Sequence, residues 1–286
     1  IGVKFSGYTL EQHYFGEHPD IELQRNIDAA FPGERVLLTS VSRDGSRAVA
    51  AVTGPQRVGD YYLLDTQRMQ MVYLGGLNAG LVPEQMAAVT PFAIRSPDGL
   101  VLGGYVTKPE RAETPLPMVV IPHSGPIGVK DSHLFNREAQ FFAHHGYAVL
   151  QLNFRGSGGF GREQLEKGFG NWGTGMIDDL ELAVRWAVRA GHADASRVCI
   201  FGGSYGGFAA LASAVRHPGT YRCAAGYAGV YDLEALSRSD IPFLPGGREY
   251  IQLVAGSNPE DLARQSPVNA AGRITIPVFL AHGGSD

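Results

Sequence analysis

The sequence is short of three things, and each shortage excludes something. It has only two cysteines in 286 residues. Two isolated cysteines build neither a disulfide framework nor a thiolate metal cluster, and Cys199 and Cys223 both fall in apolar segments, so they read as small core residues. Charge is also scarce, at 18% of residues, and the two signs nearly cancel to a net charge of −4. No basic stripe marks a nucleic-acid partner or an anionic membrane surface. No apolar run approaches the roughly 18–20 residues that a membrane span needs. The Gly-rich stretch 156–161 lacks the Gly-Lys-Ser/Thr ending of a phosphate loop, and His144 and His145 are chain neighbours that point apart, so neither a nucleotide cofactor nor a metal is expected. What remains is a chain of 44% hydrophobic residues, enough to fold around a sizeable core.

The most informative stretch is Val198-Cys199-Ile200-Phe201-Gly202-Gly203-Ser204-Tyr205-Gly206-Gly207. An apolar strand runs into Gly-x-Ser-x-Gly and then into the helix-forming Phe208-Ala209-Ala210-Leu211-Ala212, which is the pattern of a nucleophile elbow. A serine on so tight a turn takes strained backbone angles, and only glycine at 202 and 206 leaves room for the neighbouring chain. The helix starting after Ser204 aims its unpaired N–H groups and positive dipole end at the place where an acyl-transfer reaction develops negative charge. A glycine-rich turn holding a serine by chance would not need the strand before it and the small-residue helix after it. The sequence therefore nominates Ser204 as the nucleophile of a serine hydrolase.

In such a mechanism the chain order is serine, then acid, then histidine. The last residues are Phe279-Leu280-Ala281-His282-Gly283-Gly284-Ser285-Asp286, an apolar strand ending where this fold presents its triad acid, so Asp286 is the expected acid. No histidine follows it, and the first residue is Ile1. The sequence thus reads as an internal piece of a longer protein, in which the catalytic histidine is absent from residues 1–286 and the compartment is left undetermined.

Two regimes of pattern follow one another. Short β-like runs from Val36 to about Leu74, separated by turns such as Ser42-Arg43-Asp44-Gly45, predict an antiparallel meander of four strands, the size of one β-propeller blade. Before it, Asp20 to Ala30 reads as a short helix or an irregular connection. After a connector from Gly80 to Pro91, strands alternate with helices. A hairpin at Phe92–Arg95 and Leu100–Thr107 is followed by strands at 117–122, 147–152, 198–201 and 278–281, with helices at 134–145 and 176–190. Such alternation predicts an α/β fold with a mostly parallel sheet covered on both faces. Asp178 and Asp179 open the second helix, where carboxylates suit the dipole and act as caps.

Five ordered motifs carry a resemblance. They are Ile121-Pro122-His123-Ser124-Gly125-Pro126, Asn153-Phe154-Arg155-Gly156-Ser157-Gly158-Gly159-Phe160-Gly161, Trp172-Gly173 with Met176 and Asp178-Asp179, the elbow, and His282-Gly283-x-x-Asp286. Together they resemble the catalytic domain of the prolyl oligopeptidase family of serine peptidases, in its acylaminoacyl-peptidase-like and dipeptidyl-peptidase-like branches. The resemblance implies an α/β-hydrolase fold, incomplete at its C-terminus, preceded by the last blade of a β-propeller. Residues 1–85 would be the remnant of the propeller domain. Residues 86–286 would be the catalytic domain, lacking its final strand, helix and catalytic histidine. It further implies that the oxyanion is held by the backbone N–H groups of Tyr205 and Gly125. The sequence carries Ser124 where that loop usually has glycine.

His123 and His282 sit beside the site but follow strand ends inside these motifs, so both read as positioning residues and neither as the general base. Arg155 either contacts the catalytic loop or braces the Gly-rich turn, and needs a partner if buried. Tyr231, Pro242, Phe243, Pro245 and Tyr250 fall where this fold carries a lid or a substrate pocket. The implied function is a serine peptidase that hydrolyses peptide bonds of short peptides through a Ser-Asp-His triad and an acyl-enzyme. The alternatives are a carboxylic-ester hydrolase of the α/β-hydrolase type and a non-catalytic fragment. Peptide is the expected partner; nucleic acid and a membrane span are not, and an oligomer is left open.

Overall fold

The computed structural model describes residues 2–110, 112–239 and 246–284. The chain opens with a hairpin of β1 (Gly2–Ser6) and β2 (Leu10–Tyr14), in a stretch where sequence reading assigned no strand. Helix α1 (Pro19–Ala30) follows, with proline in its first turn and the His18 side chain accepting from the Asp20 N–H as the cap. Strands β3 (Arg35–Val41), β4 (Arg47–Thr53), β5 (Asp60–Asp65) and β6 (Gln70–Gly76) form a four-stranded antiparallel meander in that order. Alternate residues of β4 are buried, and Val36, Ala48, Ala50, Val52 and Leu64 close a small core under Ile27 of α1.

The rest of the chain builds one sheet of seven strands. In chain order come β7 (Ala88–Arg95), β8 (Val101–Lys108), β9 (Leu116–Val120), α2 (Arg137–His144), β10 (Ala148–Asn153), α3 (Arg162–Glu166), α4 (Gly175–Arg189), β11 (Ala193–Gly203), α5 (Tyr205–Arg216) and β12 (Cys223–Tyr227). Helices α6 (Leu233–Arg238), α7 (Gly247–Ala255) and α8 (Pro259–Gln265) precede β13 (Val278–Ala281). The strand order is β13-β12-β11-β9-β10-β8-β7, parallel from β13 to β10 and antiparallel at β8 and β7. This is the α/β fold that the alternation of strands and helices predicts. The central strands are apolar on both sides because both faces are covered. Met118, Val120, Leu150, Leu152, Val198 and Ile200 pack in one cluster with Met176, Ile177 and Leu180 of α4 and Phe208 to Ala210 of α5. Val119, Ile121 and Val149 pack on the other face against Ala139 and Phe142 of α2.

Gln140 of α2 joins the two sheets. Its amide accepts from the Ala87 N–H at 2.8 Å and donates to the Ala87 carbonyl at 2.9 Å and the Pro55 carbonyl at 3.3 Å.

Two expectations need correction. Cys199 and Cys223 are not free core thiols. Their Cα atoms lie 4.8 Å apart at facing positions of the parallel strands β11 and β12, and their sulfurs form a disulfide. Nor do Asp178 and Asp179 cap α4, whose N-cap is Thr174. Asp178 still lies in the first turn, where a carboxylate suits the helix dipole, and both residues serve as ion-pair partners. Asp178 accepts from Arg216 Nε at 2.6 Å and sits 2.9 Å from His217 Nε2. Asp179 pairs with Arg155. Among the described residues no helix is long and apolar enough to cross a membrane.

Candidate active site

Three chain segments converge at the C-terminal ends of the parallel strands. The first is the turn from β11 into α5. Ser204 stands at φ 53° and ψ −119° and is exposed, while Gly202 and Gly203 before it and Tyr205 to Gly207 after it are buried. The pair Gly202 and Gly206 makes the turn possible: a Cβ on Gly202 would lie 2.8 Å from Gly206 Cα, and one on Gly206 would lie 2.5 Å from the Pro122 carbonyl oxygen. The Ser204 N–H donates to the Tyr227 carbonyl at 3.0 Å, tying the elbow to the end of β12. The Tyr205 N–H, at the first position of α5, takes no hydrogen bond among the described residues. Its ring is buried, its hydroxyl donates to the Trp172 carbonyl at 2.9 Å, and burial lifts the phenol well above its ordinary value.

The second segment is the loop after β9. Gly125 has φ +121°, and a Cβ there would meet Val129 Cγ2 at 2.8 Å, so the loop needs glycine at this point. Its N–H, like that of Tyr205, is unengaged among the described residues. His123 is buried with its ring stacked on Phe154 at 4.2 Å between centroids. Its Nδ1 lies 2.8 Å from the Ser124 carbonyl and its Nε2 lies 2.8 Å from Ser157 Oγ. A carbonyl oxygen only accepts, so Nδ1 carries the hydrogen. Burial pushes the ring down to about 4, against a smaller opposite pull from the Ser124 carbonyl, so Nε2 is bare at neutral pH and accepts from the Ser157 hydroxyl. A ring held this way positions the loop.

The same loop is clamped further along. The Asp131 N–H donates to Asn153 Oδ1 at 2.8 Å, and Asn153 Nδ2 donates back to the Asp131 carbonyl at 3.1 Å. Burial lifts the Asp131 carboxyl to about 7, partly opposed by the 2.9 Å hydrogen bond from Gln151 and reinforced by the charge of Glu138.

The third segment follows β10. Arg155 donates from Nε to Asp179 Oδ2 at 2.9 Å and from Nη2 to Oδ1 at 2.8 Å, and its backbone N–H donates to Oδ2 at 2.9 Å. This fork, with the Asp179 hydrogen bonds holding the guanidinium above its ordinary value, braces the turn against α4.

Of the residues nominated from sequence, Ser204, Tyr205 and Gly125 belong to segments that meet here, with Pro122 of the loop touching Gly206 of the elbow. Asp286 lies outside the described residues, as do Pro242, Phe243 and Pro245 of the suggested pocket. His282 is exposed and packs edge-on to Tyr231 at 5.9 Å between centroids. Ser204 Oγ makes no hydrogen bond to a histidine among the described residues. Sequence reading missed the partners: Ser157 for His123, Asp131 for Asn153, and the Ser124 hydroxyl, which donates to the Gly203 carbonyl at 3.1 Å. Ser157 and Ser124 fall inside the motifs and Asp131 outside them, and nothing in the sequence pairs any of them with its partner.

The chain is similar to known proteins in sequence and in fold. The family model described as "Prolyl oligopeptidase family" covers residues 133–286. Dipeptidyl aminopeptidase BIII of Pseudoxanthomonas mexicana is 30% identical over 273 residues, which is 91% of this chain and 39% of that protein. The human acylamino-acid-releasing enzyme is 38% identical over 182 residues, 61% of this chain and 24% of its own length. Among solved structures, a puromycin-hydrolyzing peptidase of Mycobacterium tuberculosis superposes with a TM-score of 0.71 at 28% identity, covering 84% of this chain and 37% of that one. The chain thus spans at most about two fifths of the length of these relatives. With more than half of its residues matched by the family model, the chain belongs to the prolyl oligopeptidase family.

Proposed function

We propose that the chain carries the nucleophile and oxyanion-binding half of a serine peptidase active site that hydrolyses short peptides. Ser204 Oγ attacks the scissile carbonyl carbon, and a histidine base takes the hydroxyl proton. The tetrahedral oxyanion is held by the backbone N–H groups of Tyr205 and Gly125. Collapse expels the amine, which leaves with the proton from the histidine, and water then hydrolyses the acyl-enzyme by the same route. Asp286 orients the histidine, which in the expected chain order comes after Asp286. Residues 86–286 form the α/β-hydrolase catalytic domain and residues 1–85 the end of a β-propeller domain.

The observation that carries the reading is Ser204: exposed, at φ 53°, and seated at the N-terminus of a twelve-residue helix whose first N–H is unengaged among the described residues. Removing one oxyanion donor typically costs about 3–4 kcal/mol of transition-state stabilisation. The family supports peptide over ester as substrate.

A fluorophosphonate probe tests the assignment on the protein at its natural length. Labelling that vanishes in Ser204→Ala identifies the nucleophile, and loss of peptide-amide cleavage in the same variant identifies the reaction. Labelling that survives Ser204→Ala overturns the reading, and cleavage of esters without amides turns it to the ester hydrolase.

A further inference from the structure

The peptide group that joins Gly203 to Ser204 is held at both of its polar atoms. Its N–H donates to the Tyr227 carbonyl at 3.0 Å, and its carbonyl accepts from Ser124 Oγ at 3.1 Å. The first bond comes from the end of β12, the second from the loop after β9. Ser204 follows this peptide with φ 53°, so the orientation of the peptide plane fixes the direction in which Oγ leaves the turn.

We propose that Ser124 is a positioning residue that locks the loop carrying the Gly125 N–H onto the elbow carrying Ser204 and the Tyr205 N–H. The inference rests on the reading of Ser204 as nucleophile and of those two N–H groups as oxyanion donors. The two donors belong to different elements, and covalent geometry does not set the distance between them. The Ser124 hydroxyl spans that gap. It sits one residue from Gly125 and grips a carbonyl two residues from Tyr205.

Ser124 is itself held. Its carbonyl accepts from His123 Nδ1, whose Nε2 accepts from Ser157 Oγ, so a chain of three hydrogen bonds runs from the turn after β10 through the loop to the elbow. Glycine, which the resembling motif carries at this position, has no hydroxyl and would leave the Gly203 carbonyl to water. Oxyanion stabilisation depends on donors fixed in advance, because donors that must reorganise during the reaction lose much of their worth. Ser124 is exposed at the lip of the site, so its effect should fall on turnover and spare the fold.

The test compares Ser124→Ala, Ser124→Gly and Ser124→Thr in the protein at its natural length, with a chromogenic peptide amide as substrate and Ser204→Ala as control. Ala and Gly are expected to lower kcat roughly tenfold with KM unchanged, less than the roughly hundred- to thousandfold of losing a donor itself. Thr is expected to restore kcat because it keeps the hydroxyl. Thermal midpoints should match throughout, which separates positioning from structural damage. Wild-type kcat in both Ala and Gly, with labelling still dependent on Ser204, would overturn the inference and leave the nucleophile standing. Fluorophosphonate labelling that persists in Ser204→Ala would overturn the nucleophile and the inference with it.

Discussion

Gly206 and Pro122 meet across the site: a Cβ on Gly206 would lie 2.5 Å from the Pro122 carbonyl oxygen. The elbow and the loop after β9 therefore touch through backbone on both sides, where no side chain can rotate away. Gly206→Ala must push the start of α5 and the loop apart. A displacement near 1 Å at a reacting centre can cost about a hundredfold in rate, so probe labelling of Ser204 should slow by about that factor. Gly272→Ala supplies the control, since nothing lies within 4 Å of a Cβ there. Equal labelling rates for both variants would contradict the contact.

The Arg155–Asp179 pair predicts a stability effect with a specific remedy. Asp179 is 1% exposed, and Arg155 gives it both guanidinium hydrogen bonds and its backbone N–H. Arg155→Met strands that carboxylate in the core, and breaking a buried pair from one side typically costs about 3–5 kcal/mol. The double variant Arg155→Met with Asp179→Leu should recover most of the loss in denaturant unfolding, because no uncompensated charge remains. If the double variant is no better than the single one, the pair is not what the turn after β10 depends on.

How far the sequence announced these features depended on whether the signal was local. The elbow was legible because strand, glycines, serine and helix are contiguous, and α4 was legible from periodicity. Strand β11 was read as Val198 to Phe201 but extends over Ala193–Gly203, because its pairing with β9 breaks register between Ala193 and Val198 and the bulge hides the alternation. The hairpin of β1 and β2 was missed because the alternation Val3-Lys4-Phe5 is too short a run to mark a strand by itself. Contacts between distant segments left no trace at all. Nothing in the spacing of Cys199 and Cys223 reveals that β11 and β12 place them opposite one another, since register is set by packing across the whole sheet. The partners of His123 and Asn153 were hidden for the same reason.

That disulfide is itself testable. It closes a loop of 24 residues across α5, for which chain entropy in the unfolded state predicts about 3 kcal/mol of stabilisation. Alkylation of the denatured protein without reductant should leave both cysteines unmodified, and mass spectrometry should find them in one linked pair of peptides. Cys199→Ala with Cys223→Ala should lower the unfolding midpoint, and reductant should lower the wild type similarly. Two alkylated thiols in the unreduced protein would refute the bond and return both cysteines to the core role their sequence context suggested.

The His123 ring predicts how stability responds to acid. Burial holds the folded ring near 4, whereas the same ring in the unfolded chain titrates near 6.5. As pH falls the unfolded chain takes up the proton first, so the stability contributed by the buried neutral ring is complete above about pH 6.5 and is lost as pH falls toward 4. At roughly 1.4 kcal/mol per unit of difference, the loss across that window is on the order of 3 kcal/mol. Protonation near pH 4 would also put a hydrogen on Nε2, so the Ser157 hydroxyl, which now donates to it, would have to turn and accept instead. His123→Gln, which cannot titrate, should flatten unfolding free energy between pH 6.5 and 4 relative to wild type, at some cost in stability at pH 7. Parallel stability curves for the two proteins over that window would show that His123 titrates in the fold near its unfolded value of 6.5, so that burial does not hold the ring neutral.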